Sequence, residues 1–344
     1  MPSTIDRKTF NDAIQCLKEN VLPSDLAEAS NYAIFHNGRI CCANDSVGVS
    51  VPLCVDIPDC AVELQLLADF IRKMSDKEVM IGMSSGNLKI KGKNSVAEFA
   101  IREDIIYDDL LINLNESEFK RLPEAFTTAM NFTGFATDKD EAAYNKCVIF
   151  NGAMYALSSY RCAKFDMGDE AKELFPQMTF ISPDCSGFVN KMCPKKYLVS
   201  DGYVHLYDND MRIYSSRTRS DTDFPIDMAE EFIKIPDTPE FRLPPDFDQV
   251  LDRMNPFAGR TAKVKKVTMD IADGILNIVA IREDGSRCKE TVRGVQCSEH
   301  IHFTVNLKLL SDMIKLVEVF RLDSERLVGT APMYVAMVPL CEME

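Results

Sequence analysis

Tryptophan is absent from these 344 residues, and histidine occurs only four times. Glycine (15) and proline (16) are too sparse for a collagen-like or low-complexity chain, and 46% hydrophobic residues exclude wholesale disorder. Apolar runs end well short of the roughly 20 residues that a membrane-spanning helix needs, so we expect no membrane partner. The first ten residues carry charges where a signal peptide has its apolar segment. These absences predict a folded, cytoplasmic protein with roughly two or three domains.

Several enzyme signatures are also missing. The chain has no Walker phosphate loop, no His-Glu-x-x-His and no Gly-x-Gly-x-x-Gly turn. Its 12 cysteines form no Cys-x-x-Cys, which favours reduced core thiols over disulfides or zinc sites. His300 and His302 have no third ligand close in sequence, so a surface pair is favoured over zinc. We predict no catalytic site, no metal and no cofactor.

One enzymatic alternative stays open on the sequence. Clusters of acidic residues are able to bind magnesium in a nuclease or phosphatase. These clusters lie in polar, loop-like stretches without basic or histidine partners, which favours solvated loops; their residues are Asp138, Asp140, Asp221 and Asp223.

The formal net charge is −14, from 53 acidic and 39 basic residues. Such a chain repels nucleic acid overall. Binding of DNA therefore requires a surface that is locally basic.

What the sequence does contain is repetition. The turns Asn37-Gly38, Asn151-Gly152 and Asp273-Gly274 suit tight hairpins and recur roughly 115 to 120 residues apart. Ser85-Gly86 and Asp201-Gly202 mark a half-repeat of roughly 50 residues. Helical patterns with apolar residues at i, i+3, i+4 and i+7 alternate with these hairpins and predict six helices, the first capped by Ser3 or Thr4.

The repeats predict three α+β domains, residues 1–112, 113–236 and 237–344, each with two helices packed on antiparallel sheets. Basic residues lie on the polar faces of the six helices or close to their ends, with Lys120 and Arg121 on the third helix. Side chains of this kind contact phosphates without reading bases. The candidate DNA-facing residues are Arg7, Lys18, Arg72, Lys73, Lys77, Lys120, Arg121, Lys191, Lys195, Lys196, Arg253, Lys308 and Lys315.

This pattern resembles the bacterial-type DNA sliding clamp, the beta subunit of DNA polymerase III, over essentially the whole chain. The resemblance is carried by the opening helix and the hairpin up to Ala43, the segment from Glu63 to Met74, Phe224-Pro225, and the closing segment from Tyr334 to Leu340. Large divergence suggests a phage-encoded or otherwise distant member. The resemblance implies a head-to-tail homodimer that closes into a ring around duplex DNA, without sequence specificity and without enzymatic activity.

The resemblance also implies a peptide groove between the second and third domains. There the DNA polymerase, the clamp loader and other replication or repair proteins would dock through short linear motifs. The matching positions are Leu157, Tyr160, Arg161, Cys162, Phe224, Pro225, Val335, Met337, Val338, Pro339 and Leu340. For the dimer interface the resemblance points to Ile106 and Tyr107 of one chain meeting Pro256 and Phe257 of the other.

The resemblance therefore implies a DNA polymerase processivity factor acting in a bacterial or phage-infected cell. The alternative is a monomeric, clamp-like interaction module that binds replication proteins without encircling DNA.

Overall fold

The chain has an α+β fold with extensive antiparallel sheet. A computed structural model describes residues 2–21, 23, 28–105, 114, 116–138, 146–175, 177–200, 202–218, 224–261 and 265–342. The residues form two compact units: the first unit is Met1–Thr127 with Phe180–Asp221, and the second unit is Thr128–Thr179 with Thr222–Glu344. The division into three domains stays a prediction.

Amphipathic segments account for the helices. Phe10, Ile14 and Leu17 are fully buried along one side of α1, as their spacing predicts. In this part of the chain the α-helices are α1 (Arg7–Asn20), α2 (Leu64–Lys73), α3 (Phe126–Thr133), α4 (Asp169–Leu174), α5 (Ser186–Met192), α6 (Ile226–Phe232), α7 (Phe247–Met254) and α8 (Leu307–Met313). None of these helices is long and apolar enough to cross a membrane.

The strands alternate with the helices along the chain. The strands before residue 126 are β1 (Ser3–Asp6), β2 (Tyr32–His36), β3 (Arg39–Ala43), β4 (Val47–Pro52), β5 (Cys60–Glu63), β6 (Glu78–Ser84), β7 (Asn87–Lys91), β8 (Val96–Ala100) and β9 (Lys120–Arg121). The next are β10 (Cys147–Phe150), β11 (Ala153–Ser158), β12 (Arg161–Asp166), β13 (Thr179–Ile181), β14 (Lys196–Ser200), β15 (Tyr203–Tyr207) and β16 (Ile213–Arg217). The last are β17 (Phe241–Arg242), β18 (Lys266–Ala272), β19 (Ile275–Ile281), β20 (Arg287–Arg293), β21 (Gln296–Cys297), β22 (Ile301–Asn306), β23 (Val319–Leu322), β24 (Arg326–Ala331) and β25 (Tyr334–Pro339).

The strands form four sheets. The first unit holds a four-stranded sheet, β1-β6-β7-β8, and an eight-stranded sheet, β5-β2-β3-β4-β16-β15-β14-β9. In the second unit a four-stranded sheet has the order β20-β19-β18-β22, and a larger sheet contains the run β10-β11-β12-β25-β24-β23-β17-β21. Both long sheets therefore join strands from two successive predicted repeats.

The hairpin turns have the backbone that the sequence predicts. Asn37 and Gly38 have φ values of 49° and 69°, and Asn151 and Gly152 have 50° and 82°. Asp273-Gly274 likewise has positive φ at both positions. Positive φ at both central residues defines the type I′ turn, so these turns fix the register of their hairpins.

All 12 cysteines are free thiols. Seven of them are buried, including the adjacent pair Cys41 and Cys42 on β3. Burial raises the pKa of each of these two thiols to about 12. They therefore act as small apolar core residues, as the sequence predicts.

Three local predictions were wrong. Ser3 and Thr4 lie in β1, and the side chain of Asp6 caps α1 by accepting from the Thr9 N–H at 2.8 Å. Lys120 and Arg121 lie on β9, because this segment pairs with β14 and the helix begins at Phe126. The apolar spacing of Leu66, Leu67, Phe70, Ile71 and Met74 predicts one buried helix face, but Leu66 is 53% exposed. The short helices α4 and α6 were not predicted.

Candidate functional site

The predicted peptide groove maps to the place where β12 pairs with β25 in the second unit. Leu157 lies opposite Cys162, and Cys162 lies opposite Met337. Because paired residues share a face of a sheet, the three side chains form one row across three strands. All three are buried, Met337 to 7% exposure. The structure thus brings these three predicted residues together, but beneath the surface.

Helix α6 covers this row. At its start, the Phe224 ring packs 6.4 Å from the Tyr155 ring on β11. In its middle, the Cys162 thiol lies 3.6 Å from the Ala229 carbonyl oxygen. At its end, Arg326 on β24 donates to the carbonyl oxygens of Glu231 and Phe232. The helix therefore contacts residues of β11, β12 and β24 on one face of the sheet.

A polar cluster that sequence reasoning missed fixes the middle of α6. Glu230 Oε1 accepts from the Tyr155 hydroxyl at 2.6 Å and from Lys164 Nζ at 2.8 Å. Burial opposes the charge of Glu230, but hydrogen bonds from Lys164 and Tyr155 outweigh it, so the pKa of Glu230 lies below its ordinary value. The carboxylate is therefore ionised at neutral pH, and this stabilising contribution is lost in acid as Glu230 is protonated.

Two other groove candidates lie on the opposite face of the sheet. Arg161 donates to the Phe135 carbonyl oxygen at 2.7 Å, lies over the Phe135 ring and faces Asp312 at 3.5 Å. Val338 neighbours Met337 on the same strand, so it points to the other side, where it is fully buried. Both side chains are occupied by contacts within the second unit.

The remaining groove candidates are more accessible. Tyr160, in the turn between β11 and β12, is 56% exposed, and Pro225 is exposed at the start of α6. Val335, Pro339 and Leu340 are half-buried on or just after β25. A ligand at this site would meet the accessible side chains first.

We expect Met337→Ala to lower the free energy of unfolding by about 2–5 kcal/mol, because it removes a buried side chain between β12 and α6. Met333→Ala is the matched control, since Met333 is an exposed methionine in the turn before the same strand, and should change stability by less than about 0.5 kcal/mol. Urea unfolding of the full chain measures both. Equal effects in the two variants would contradict the burial of Met337.

The candidate DNA-facing residues of the first unit lie on and beside packed helices. Helix α1 contacts both α2 and α5. Lys18 of α1 donates to Gln65 of α2 at 2.7 Å, and Lys191 of α5 pairs with Glu19 of α1 at 2.6 Å. The exposed members of this set are Arg72, Lys73, Lys77, Lys120, Arg121, Lys191, Lys195 and Lys196, while Arg7 and Lys18 are half-buried.

In the second unit, α7 and α8 pack together and carry the other three candidates. Arg253 makes a two-point ion pair with Glu290 of β20, at 2.8 and 2.7 Å. Lys308 pairs with Asp312 at 2.7 Å. Lys315, just after α8, is exposed. The guanidinium of Arg253 is therefore already paired with a carboxylate of the sheet, whereas the sequence predicted that it faces DNA.

The predicted dimer contacts are only partly covered by the described residues. Ile106 and Tyr107 lie outside them. Pro256 is exposed and Phe257 is half-buried in a short 3₁₀ helix, Asn255–Phe257, that follows α7. Their role at an interface stays a prediction.

The enzymatic alternative gains no support from this part of the chain. Asp140, Asp221 and Asp223 lie outside the described residues, and Asp138 is half-buried. His300 Nε2 and His302 Nδ1 both approach Asp270 Oδ1, at 2.6 and 3.5 Å, on the surface. Within the described ranges, no group of three His, Cys, Asp or Glu residues is placed to hold a metal ion.

The first unit contains a hydrolase-like sequence motif. Gly82-Met83-Ser84-Ser85-Gly86 matches Gly-x-Ser-x-Gly, which in α/β-hydrolases places a nucleophilic serine between a strand and a helix. Here Ser84 ends β6 and pairs with Asn87 of β7 across a tight turn. The segment is a β-hairpin, so the motif has no catalytic meaning.

Comparison with known proteins identifies the class of fold. No family model matches the chain, and no curated protein matches it in sequence. Among solved structures, the chain is similar over 100% of both lengths to the DNA polymerase III subunit beta from Pseudomonas aeruginosa (TM-score 0.81, 13% identity) and to Caulobacter crescentus pol III beta (TM-score 0.82, 15% identity). The DNA polymerase III beta subunit from Thermotoga maritima gives a TM-score of 0.79 at 14% identity, again over both full lengths.

The chain therefore has the fold of the bacterial DNA sliding clamp. The resemblance seen in the sequence is confirmed at the level of fold. At 13–15% identity the comparison shows the fold alone, and the ring, its DNA and its partners must be argued from this chain's own residues.

Proposed function

We propose that the chain is a DNA polymerase processivity factor that closes into a ring with a second copy of itself. The observation that carries this proposal is a strand junction that occurs twice within the chain. In the first junction β4 pairs antiparallel with β16, and in the second junction β12 pairs antiparallel with β25. Each junction joins the third strands of two three-stranded meanders and so extends one continuous sheet.

The two junctions share one register. The described sheets contain six meanders, each made of three consecutive strands: β2-β3-β4, β6-β7-β8, β10-β11-β12, β14-β15-β16, β18-β19-β20 and β23-β24-β25. To compare registers, we define one reference residue in each meander. It is the residue of the third strand that pairs with the first residue of the middle strand. At the first junction the references are Pro52 and Arg217, and Ser50 pairs with Ile213. At the second junction they are Asp166 and Pro339, and Lys164 pairs with Val335. In both junctions, one residue of the pair lies two positions before the reference residue of its own strand, and its partner lies four positions before the reference residue of the other strand.

Among the described residues, two meanders are left without a junction. Their third strands are β8 and β20, which are edge strands of the two four-stranded sheets. The reference residues are Ala100 for β8 and Arg293 for β20. If these strands pair in the same register, Thr291, two positions before Arg293, lies opposite Val96, four positions before Ala100. Edge strands with unpaired backbone groups are templates for pairing with another chain. Pairing β8 of one copy with β20 of the other gives a head-to-tail dimer with two equivalent seams.

Backbone geometry and charge agree with this pairing. The Gly92 N–H donates to the Ser95 carbonyl oxygen, so alternation directs the backbone polar groups of Val96 and Glu98 away from β7. The same register places Lys289 of β20 opposite Glu98. Glu98 pairs with Lys89 in the single chain at 2.9 Å, so a second cation would join an existing ion pair at the seam.

We propose that the ring encloses duplex DNA and binds it without sequence specificity. Six of the 13 candidate DNA-facing residues are exposed and have no carboxylate partner among the described residues, which leaves them available for phosphates; they are Lys73, Lys77, Lys120, Lys195, Lys196 and Lys315. The net charge of −14 keeps non-topological binding weak. A closed ring retains DNA by encirclement and still slides.

We further propose that the DNA polymerase, the clamp loader and other replication or repair proteins dock at the β12–β25 face, through Tyr160, Pro225, Val335, Pro339 and Leu340. The protein would contribute no chemistry of its own, would need no cofactor, and would act in the cytoplasm of a bacterial or phage-infected bacterial cell. A ligand on a similar fold supports docking, since the sliding clamp from Pseudomonas aeruginosa was solved bound to griselimycin.

Sedimentation equilibrium of the purified protein tests the dimer. We expect a mass twice the 38.7 kDa of one chain, because two edge strands pair at each of two seams. A mass of 38.7 kDa at all concentrations would support the monomeric interaction module instead.

A further inference from the structure

The outer side of α6 carries an apolar stripe that the fold does not cover. Met228 and Phe232 lie on α6 and are 42% and 36% exposed, and Ile235, which follows the end of the helix, is 46% exposed. The inward-facing Ala229 and Ile233 are buried. We call the three exposed residues, Met228, Phe232 and Ile235, the α6 stripe. Met228 and Phe232 are four residues apart and therefore neighbours on the helix surface. Contiguous exposed apolar side chains mark interaction surfaces.

The stripe is held firmly from beneath. Glu230 is bound by Tyr155 and Lys164, and Arg326 caps the end of the helix at Glu231 and Phe232. A helix fastened in its middle and at its end presents its outer residues in a fixed arrangement. Binding to such a surface costs little conformational entropy.

The charges around the stripe select the kind of partner. Asp227 and Glu231 are exposed on the helix and Asp237 follows it. The nearby bases are Lys234 and Arg326, and the charge of Arg326 is balanced by Asp323 at 2.8 Å. The charge of Glu230 is already balanced by Lys164. The surroundings are therefore acidic, which disfavours nucleic acid and a second copy of the same stripe.

From this stripe and its acidic surroundings, we propose that the outer face of α6 is a docking site for an amphipathic segment of a partner protein that carries apolar residues flanked by lysine or arginine. Its apolar side chains would contact Met228 and Phe232, and its cations would meet Asp227 and Glu231. The site is separate from the row beneath α6 and from the edge strands, so it does not depend on ring formation.

Two fluorescein-labelled peptides of about 14 residues probe the site. Both have leucine at i, i+3, i+4 and i+7; one carries lysine and the other glutamate at the remaining positions. Fluorescence anisotropy at about 0.15 M salt should show binding of the lysine peptide to the full chain and about tenfold weaker binding of the glutamate peptide. Equal binding of the two peptides would overturn the charge argument.

Variants locate the binding. Met228→Gln with Phe232→Gln, and separately Asp227→Lys with Glu231→Lys, should each weaken the lysine peptide about tenfold or more. Met83→Gln, which changes an exposed methionine of the first unit, should leave binding unchanged. Unchanged binding in the α6 variants would overturn the proposal. So would a fall in the mass of the protein caused by Met228→Gln with Phe232→Gln, since that result would assign the stripe to a second copy.

Discussion

Thr291→Pro should convert the dimer into single chains of 38.7 kDa. The Arg282 N–H donates to the Ser286 carbonyl oxygen, and residues of β20 alternate from there, so the backbone N–H of Thr291 points to the free edge. Proline removes this donor and is tolerated where an edge strand does not use its N–H within its own sheet. The substitution therefore acts on the seam and spares the fold.

Thr291→Val is the matched control, because valine keeps the N–H and suits a strand. We expect this variant to retain the mass of the wild-type protein, with both variants showing the wild-type far-UV circular dichroism. Sedimentation equilibrium compares the three proteins. If Thr291→Pro leaves the mass unchanged, β20 does not form the seam.

The second large effect is expected from reversing three lysines at the β9–β14 edge of the first unit. The three lysines are exposed where β9 pairs with β14: Lys120 lies on β9, Lys196 begins β14, and Lys195 directly precedes it. Replacing all three by glutamate should weaken binding to a linear duplex at least about tenfold, and should reduce the salt slope of log K by roughly 0.9 for each phosphate that the variant no longer neutralises. The weakening should be independent of DNA sequence.

A control with the same change in net charge separates local contact from overall repulsion. Lys93, Lys172 and Lys234 are exposed and lie outside the candidate DNA-facing set. Their replacement by glutamate should leave the salt slope near that of the wild-type protein. Anisotropy of a labelled duplex across a salt series measures both triple variants. Equal weakening in the two would mean that net charge alone sets the affinity.

Local features of the fold could be predicted from the sequence because they are encoded locally. Asn37-Gly38 and Asp273-Gly274 have the positive φ that their residue types favour, and the apolar spacing of Phe10, Ile14 and Leu17 defined a buried helix face. The prediction failed at Lys120 and Arg121, where a short segment forms a strand by pairing with β14 about 75 residues later in the chain. Pairing at such separation leaves no local pattern.

The candidate site was harder to predict for the same reason. Met337 and Cys162 were identified through the resemblance, and the structure does pair them. Their burial depends on α6, whose seven residues are apolar on two sides and give a weak periodic signal. The clamp of Glu230 by Tyr155 and Lys164 joins residues more than 60 positions apart, which no motif spacing reveals.

Retention on DNA of different topology tests the central claim most directly. The wild-type protein, placed on a nicked circular duplex by a clamp loader and isolated by gel filtration at moderate salt, should stay with the circle. It should dissociate when a restriction enzyme linearises the same DNA, because a ring slides off a free end. Equal retention on circular and linear DNA would contradict encirclement and leave only surface binding.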